Sequence, residues 1–392
     1  MPWKESDVVN ERLNFIAAHQ RGGESMTELC ARFGISRKTG YKLVRRYEKE
    51  GGKGLHDRSR APHSHPQKVS EESVTAELEV RRNHPTWGSK KIHAVLEREG
   101  ELEKIPARST IDRILKAAGL VVPRKHRRHH CGGPRVAPVV PADRPNQAWS
   151  MDYKGWFRVG DGTRCDPFTA NDMCSRASLS CTALVEPKLE DVKRCLERAF
   201  REYGLPEVIL SDNGPPFGAQ GLGGLSRLGV WLLKLDVQPV FIQPGHPEQN
   251  GRHERFHETL KAETAAPPKR SIRAQQRAFN EFTRCYNEER PHEALEMKAP
   301  FDVYAASERR LPRTEPAFEY DQDVTVRRVR ADGAIKVNSR LVFVGSAFAG
   351  ENVGIRQIDD RVQHVYAGRM RLGLIFDGLP KVVPIAEDLD AT

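Results

Sequence analysis

Apolar positions recur every three to four residues over the first fifty residues, the period of helices packed on one face. Val8, Val9, Leu13, Phe15 and Ile16 predict a first helix. A second, short helix is predicted from Ser25 to Gly34, with Ser25 as its N-cap, Glu28 completing a capping box and Gly34 as the stop. Ser36 caps a third, whose inner face is expected from Tyr41, Val44 and Tyr47. Its outer face carries Arg37, Lys38, Lys42, Arg45 and Arg46. A short helix, a glycine turn and a basic helix predict a helix-turn-helix, with cations offered to phosphates and base edges in the major groove.

Gly51-Gly52-Lys53-Gly54 closes this unit, and a Pro/His/Ser-rich linker runs to about Gln67. A second helical unit is predicted from Glu71 to Leu120, with one helix after Trp87-Gly88 ending near Gly100 and another led by Ile111, Ile114 and Leu115. It reads as a weaker helix-turn-helix. From Trp149 the period shortens towards two. Segments 148–159 and 163–171 flank Gly160-Asp161-Gly162, a hairpin signal. A strand over 177–185, a helix over 189–203, a strand over 207–210, a helix at 223–228, a strand over 239–242, a helix from Gly251 and another over 272–287 follow. Strands first, then alternating helix and strand, predict a mixed sheet with helices on both faces. Beyond about Leu311 the pattern is strand-rich with turns at Asp332-Gly333, Gly350-Glu351 and Asp359-Asp360, and a small C-terminal β-barrel is expected.

The fold class is therefore multidomain: N-terminal all-α helix-turn-helix units, a central α/β core and the C-terminal barrel. The expected divisions are a DNA-binding domain over 1–52, a second helical unit over 68–120, a basic linker over 121–144, the α/β core over 145–305 and the barrel over 315–385. The linker holds six Arg or Lys residues against one Asp, among them Arg124, Lys125, Arg127 and Arg128. With its prolines it cannot build a core, and it is expected to be an extended cationic tether able to lie along DNA.

Charge supports that picture. Lys and Arg number 63 against 53 Asp and Glu, for a net charge of +10. Such a surface attracts polyanions, nucleic acid being the commonest. No apolar run is long enough for a membrane span, and Met1–Leu13 lacks the apolar core of a signal peptide. The expected location is cytoplasmic, with the nucleoid. Seven cysteines without a C-x-x-C pair argue against structural zinc.

Three acids stand out by position. Asp152 lies within the first strand of the core, and Asp212 where a buried strand ends, the place where ligand sites collect in α/β sheets. For the third, Glu248 and Glu254 both qualify. Glu248 sits beside Pro247 in a turn, whereas Glu254 occupies the first turn of a helix, a stiffer support, and is preferred. Three carboxylates suit two hard cations, and phosphodiester transfer needs chiefly positioning and charge neutralisation.

Trp149-Ser-Met-Asp152, Ser211-Asp-Asn-Gly214 and Gln249-Asn-Gly-Arg-His-Glu254, followed by Tyr286-Asn287, Arg290-Pro291-His292 and Ala294-Leu295, resemble in order the motifs of insertion-sequence transposases of the retroviral-integrase-like DDE superfamily. The resemblance implies a ribonuclease-H-like core in which Asp152, Asp212 and Glu254 are catalytic and hold Mg²⁺, or Mn²⁺ in its place. It implies cleavage that frees a 3′-hydroxyl, strand transfer into target DNA, double-stranded DNA as partner and a homo-oligomer assembled on it. Arg252, inside the third motif, joins the basic residues expected to touch DNA. The 41 residues between Asp212 and Glu254 exceed the spacing of many relatives, and the glycine-rich 218–224 segment is the expected enlargement. Two rival readings are a catalytically inactive helix-turn-helix regulator and a zinc hydrolase. His253-Glu-Arg-Phe-His257 fits H-E-x-x-H formally, but DNA contact or packing is the expected role of both histidines.

Overall fold

The computed structural model describes residues 7–59, 69–121, 140–219, 221–243, 245–359 and 361–384, with the side chains of Pro247 and Glu248 outside that set. Arg124, Lys125, Arg127 and Arg128 of the basic linker lie outside the described residues. The chain divides into two compact units, Met1–Lys68 and Val69–Thr392.

In the first unit, α1 (Val8–Arg21), α2 (Met26–Arg32) and α3 (Arg37–Glu50) follow the predicted pattern. Asp7, Ser25 and Ser36 accept hydrogen bonds from the first-turn amides, and Ser25 with Glu28 forms the full capping box. Phe15, Ile16, Leu29, Cys30, Leu43 and Leu55 make the core. The inner face of α3 differs from expectation. Tyr41 is 54% exposed, and Gly40 and Leu43 are buried in its stead. Gly40 permits this close crossing, because a Cβ there would stand 2.5 Å from the Cys30 sulfur and 3.1 Å from the Phe15 ring.

The second unit opens with α4 (Glu71–Asn83), α5 (Ser89–Glu99) and α6 (Arg108–Ala117), closed around Trp87, Ile92, Val95, Leu96, Ile111 and Leu115. Next come β1 (Ala148–Tyr153), β2 (Phe157–Arg158), β3 (Arg164–Asp172), β4 (Ser178–Leu184), α7 (Leu189–Tyr203), β5 (Val208–Ser211), α8 (Arg227–Lys234), β6 (Gln238–Phe241), α9 (Gly251–Thr264), α10 (Ile272–Glu288) and the short α11 (Pro300–Val303). The predicted long first strand is broken between β1 and β2, where Gly155 turns at φ +84°. β3 pairs antiparallel with β1, β2 and β4, while β1, β5 and β6 run parallel. Trp149, Met151, Phe168 and Ala170 face α7 and α8 across the largest core, with Val192, Leu196, Phe200 and Trp231. On the opposite face Cys165 and Cys181 meet Phe256, Leu260, Phe279 and Phe282 of α9 and α10. The helices thus cover both faces, as the alternation predicted.

The predicted helix at 223–228 is displaced. Leu222–Gly224 forms a single 3₁₀ turn, and α8 starts only after Ser226, whose hydroxyl accepts from the Gly229 amide. Gly218 and Leu225 form an isolated bridge, so the glycine-rich segment leaves the core and returns at one place.

The C-terminal strands are β7 (Thr325–Arg328), β8 (Ala334–Val337), β9 (Arg340–Phe343), β10 (Asn352–Gln357), β11 (Val362–Ala367) and β12 (Met370–Phe376). They do not close into the expected barrel among the described residues. β12, β11, β10 and β7 form an open four-stranded sheet, and β8 with β9 a separate hairpin. Leu222, Leu225 and Val230 from the loop before α8 and α8 itself pack into this apolar cluster with Val353, Val365 and Leu372. The open face therefore rests on the α/β core. No helix among the described residues is long and apolar enough to cross a membrane.

Candidate active site

Sheet register places the two aspartates. Ser150 of β1 lies opposite Leu210 of the parallel β5. Asp152 and Asp212 each follow two residues later, so both side chains leave neighbouring strands at one level and on one face. That face is the one covered by α9.

Asp152 is partly buried. Its Oδ1 accepts from the Tyr153 amide at 2.7 Å and its Oδ2 from the Asn250 side-chain amide at 3.3 Å. Burial, then the negative charge of Asp212, and more weakly that of Glu254, push the Asp152 carboxyl up to about 7 against the pull of the Tyr153 amide. Burial also raises Asp212, whose Oδ1 accepts from the Gly214 amide at 3.3 Å. Glu254 stands exposed in the first turn of α9. Among the described residues the three carboxylates do not form a set with ligand atoms all within 4.8 Å of one another. Two ions about 4 Å apart allow oxygens on their outer sides to stand farther apart than that. The side chain of Glu248 is outside the described residues.

What fixes α9 is a buried polar knot beside Glu254. Ser150 Oγ lies 2.7 Å from His253 Nδ1, and Thr169 Oγ1 lies 2.6 Å from His253 Nε2 and 2.8 Å from His257 Nε2. The same Thr169 hydroxyl donates to the Asp152 carbonyl at 3.1 Å. A hydroxyl has one hydrogen, so with it spent on Asp152 both imidazoles must present Nε2–H to Thr169. His253 Nδ1 then accepts from Ser150, and every ring nitrogen in the knot but His257 Nδ1 has a partner. Burial holds both rings neutral and pushes His257 down to about 3, aided by the Lys154 charge, while His253 falls well below its usual value. The two histidines of the H-E-x-x-H string are thus packed into the sheet, not offered to a zinc ion.

Sequence reasoning counted Asn250 only as a member of the third motif, without a contact of its own, and left His253 between packing and DNA contact. Asn250 in fact reaches Asp152, a contact 98 residues apart that no local pattern signals. Of the basic residues, Arg37, Lys38, Lys42 and Arg45 are exposed on α3. Arg46 is half-buried and donates to the His56 carbonyl, so its guanidinium closes its own unit. Arg252 is exposed and donates to the Met173 carbonyl at 3.1 Å.

Three carboxylates, with an amide and backbone N–H groups as the recorded partners of the aspartates, suit a hard divalent cation; burial first, and the Asp212 charge after it, raise Asp152.

Residues 142–247 and 235–300 match models of the integrase core domain. Residues 11–63 match a helix-turn-helix domain and 39–115 a homeodomain-like domain. An uncharacterized 31.7 kDa protein of insertion element IS407 from Burkholderia multivorans is 29% identical over 62% of this chain and 83% of its own. Transposase InsD for insertion element IS2 from Escherichia coli is 29% identical over 55% of this chain and 72% of its own. The structure of a simian T-cell lymphotropic virus intasome in complex with PP2A regulatory subunit B56 gamma aligns at a TM-score of 0.37, with 17% identity, over 79% of this chain and 99% of that one. Helix-turn-helix domains bind DNA, and integrase cores are polynucleotidyl transferases that generally use a divalent metal. The chain belongs to the insertion-sequence transposases of the retroviral-integrase-like DDE superfamily.

Proposed function

We propose that this transposase cuts and joins DNA at the ends of its mobile element through Asp152, Asp212 and Glu254, which together hold two Mg²⁺ ions. The observation that carries the reading is the shared level of Asp152 in β1 and Asp212 just past the end of β5, with Glu254 near enough to raise the Asp152 carboxyl. When bound, such a metal pair neutralises charge on the attacking and leaving oxygens of an in-line displacement. The chain's own groups do the positioning. Asn250 holds one oxygen of Asp152, Gly214 steadies Asp212, and the Ser150–His253–Thr169 knot sets the azimuth at which Glu254 leaves α9. Water attacks first and frees a 3′-hydroxyl; that hydroxyl then attacks a target phosphodiester, a P–O bond forming as another breaks.

In the same reading the 1–52 and 68–120 units recognise the element ends, the 121–144 tether follows the backbone, and the 315–385 strands add contacts to DNA or to another protomer. Arg37, Lys38, Lys42 and Arg45 supply phosphate contacts from α3, joined by Arg124, Lys125, Arg127 and Arg128 in the tether and by Arg252 in the core. Two ends must be joined together, which calls for a multimer assembled on DNA at the nucleoid. The test is cleavage and strand transfer by the purified chain on its element's end DNA with Mg²⁺ or Mn²⁺. Asp152→Asn and Asp212→Asn are each expected to abolish both steps while DNA binding persists. Full activity in either variant refutes the assignment, and binding without cleavage by the unaltered chain under either metal makes it a regulator.

A further inference from the structure

A second cluster of metal-binding side chains lies away from the carboxylates. His84 caps the C-terminus of α4, and Cys285 and Glu289 stand one turn apart at the end of α10. One ligand atom from each of the three lies within 4.8 Å of the other two, and among the described residues no other set of three does so. His84 Nδ1 is 3.6 Å from Cys285 Sγ. Zinc bonds of about 2.0–2.1 Å to nitrogen and 2.3 Å to sulfur, at a tetrahedral angle, put those two atoms about 3.6 Å apart. Glu289 Oε2 stands 3.9 Å from Nε2, the other nitrogen of that imidazole, while its Oε1 accepts from Arg284 at 2.6 Å, the kind of outer-shell bond that orients a ligating carboxylate. His84 is itself held flat on Trp87, with ring centroids 3.7 Å apart at 7°.

The geometry points to a zinc site of His84, Cys285 and Glu289, with water as the fourth ligand, clamping the α4–α6 helices to the last turn of α10. Nitrogen, sulfur and oxygen donors together suit a borderline cation and not Mg²⁺. A thiolate and a carboxylate balance the charge of the ion. The location supplies the purpose. Cys285 packs into the apolar core of the α4–α6 helices, and the seam beside it carries Lys90–Glu293 at 2.7 Å and Thr86 with Arg290 on Glu263. An ion here ties a DNA-binding unit to the catalytic core. Sequence spacing could not reveal it, since His84 and Cys285 are 201 residues apart.

The test uses the full chain, stripped by chelator and titrated with Co²⁺. A thiolate-to-cobalt charge-transfer band at one equivalent is expected, with a higher unfolding midpoint when Zn²⁺ replaces Co²⁺. Cys285→Ser is expected to remove the band and the thermal gain; Glu289→Gln, the milder change, is expected to weaken binding tenfold or more. Asp152→Asn is expected to keep both. Asp152→Asn also separates this site from the catalytic one, because it removes strand transfer and leaves the band. A plain thiol–imidazole hydrogen bond is the alternative. No band in the unaltered chain, or a band that survives Cys285→Ser, overturns the site.

Discussion

Replacing Thr169 by Val keeps the shape of the side chain and removes one hydroxyl from the knot under α9. Three bonds are lost: those to His253, His257 and the Asp152 carbonyl. Thr169 is fully buried and His253 is 1% exposed, so water cannot replace the hydroxyl. Each buried donor left without an acceptor costs about 1–3 kcal/mol, and two imidazole N–H groups are stranded. The expected loss of stability is about 3 kcal/mol, with partial relaxation allowed for. Thr169→Ser is the control. It keeps the hydroxyl and gives up one methyl, for about 1 kcal/mol. Urea unfolding followed by near-ultraviolet circular dichroism reads both, through the shift of midpoint at constant slope. Thr169→Val is also expected to lower strand transfer with end binding unchanged, since Glu254 is set by its neighbour. The reasoning fails if Val and Ser cost the same, or if Val costs less than about 0.5 kcal/mol, within the range of an indifferent surface change.

Other consequences follow from the buried charges. His257 titrates at about 3 in the fold and near 6.5 when unfolded, so its contribution is complete above pH 6.5 and is lost as pH falls towards 3. Unfolding free energy should fall by about 1.4 kcal/mol per pH unit there from this group alone, and a His257→Phe variant should show a shallower acid limb in the same titration. Glu77 acts in the opposite sense. It is fully buried with neither oxygen partnered, and burial raises it from 4.5 to about 7. Its penalty is absent below pH 4.5, grows between 4.5 and 7, and is complete above; Glu77→Gln should therefore stabilise by about 2–3 kcal/mol at pH 8 and by nothing at pH 4. Equal gains at both pH values would show that charge is not the cause. On α3, Arg37→Ala and Lys38→Ala should each weaken binding to all DNA sequences and lower the slope of log affinity against log salt by about one, if each neutralises one phosphate. An unchanged slope removes that residue from the interface.

Local signals were the most legible. Leu189–Tyr203 stands where its apolar spacing put it, and the Ser25–Glu28 capping box formed as written, because both depend on neighbours within a turn or two. The shortened period from Trp149 predicted a strand holding Asp152, and in the sheet Trp149 and Met151 take its apolar face and Ser150 and Asp152 the other. Errors arose where distant contacts decide. Tyr41 lost the inner face of α3 to Gly40, because α1 and α2 cross too closely for any side chain there. The C-terminal turns were readable, but barrel closure depends on which edges pair. Here the apolar face is covered by Leu222, Leu225 and Val230, so the sheet can remain open. The Asn250–Asp152 bond and the His84–Cys285 pair join residues far apart in sequence, with no period or spacing to announce them.

The two faces of β1 explain how a crowded acidic site is tolerated. Trp149 and Met151 are buried against α7 and α8. That apolar contact supplies stability independent of what the other face carries. Ser150 and Asp152 share the other face, one tied to His253 and the other left short of positive charge. On α9 the same division recurs within two residues: His253 points into the sheet and Glu254, about 100° further round the helix, emerges at its rim. Asp152 and Glu254 each therefore sit beside an uncharged, hydrogen-bonded anchor on the same element, Ser150 and His253. The anchors hold position without adding charge, so carboxylate repulsion remains in place of a salt bridge that would have satisfied it. A protein cation here would lower the Asp152 carboxyl and compete with metal. Among the described residues the recorded partners of Asp152 are the Tyr153 and Asn250 amides, an environment that suits the divalent ions proposed for the site.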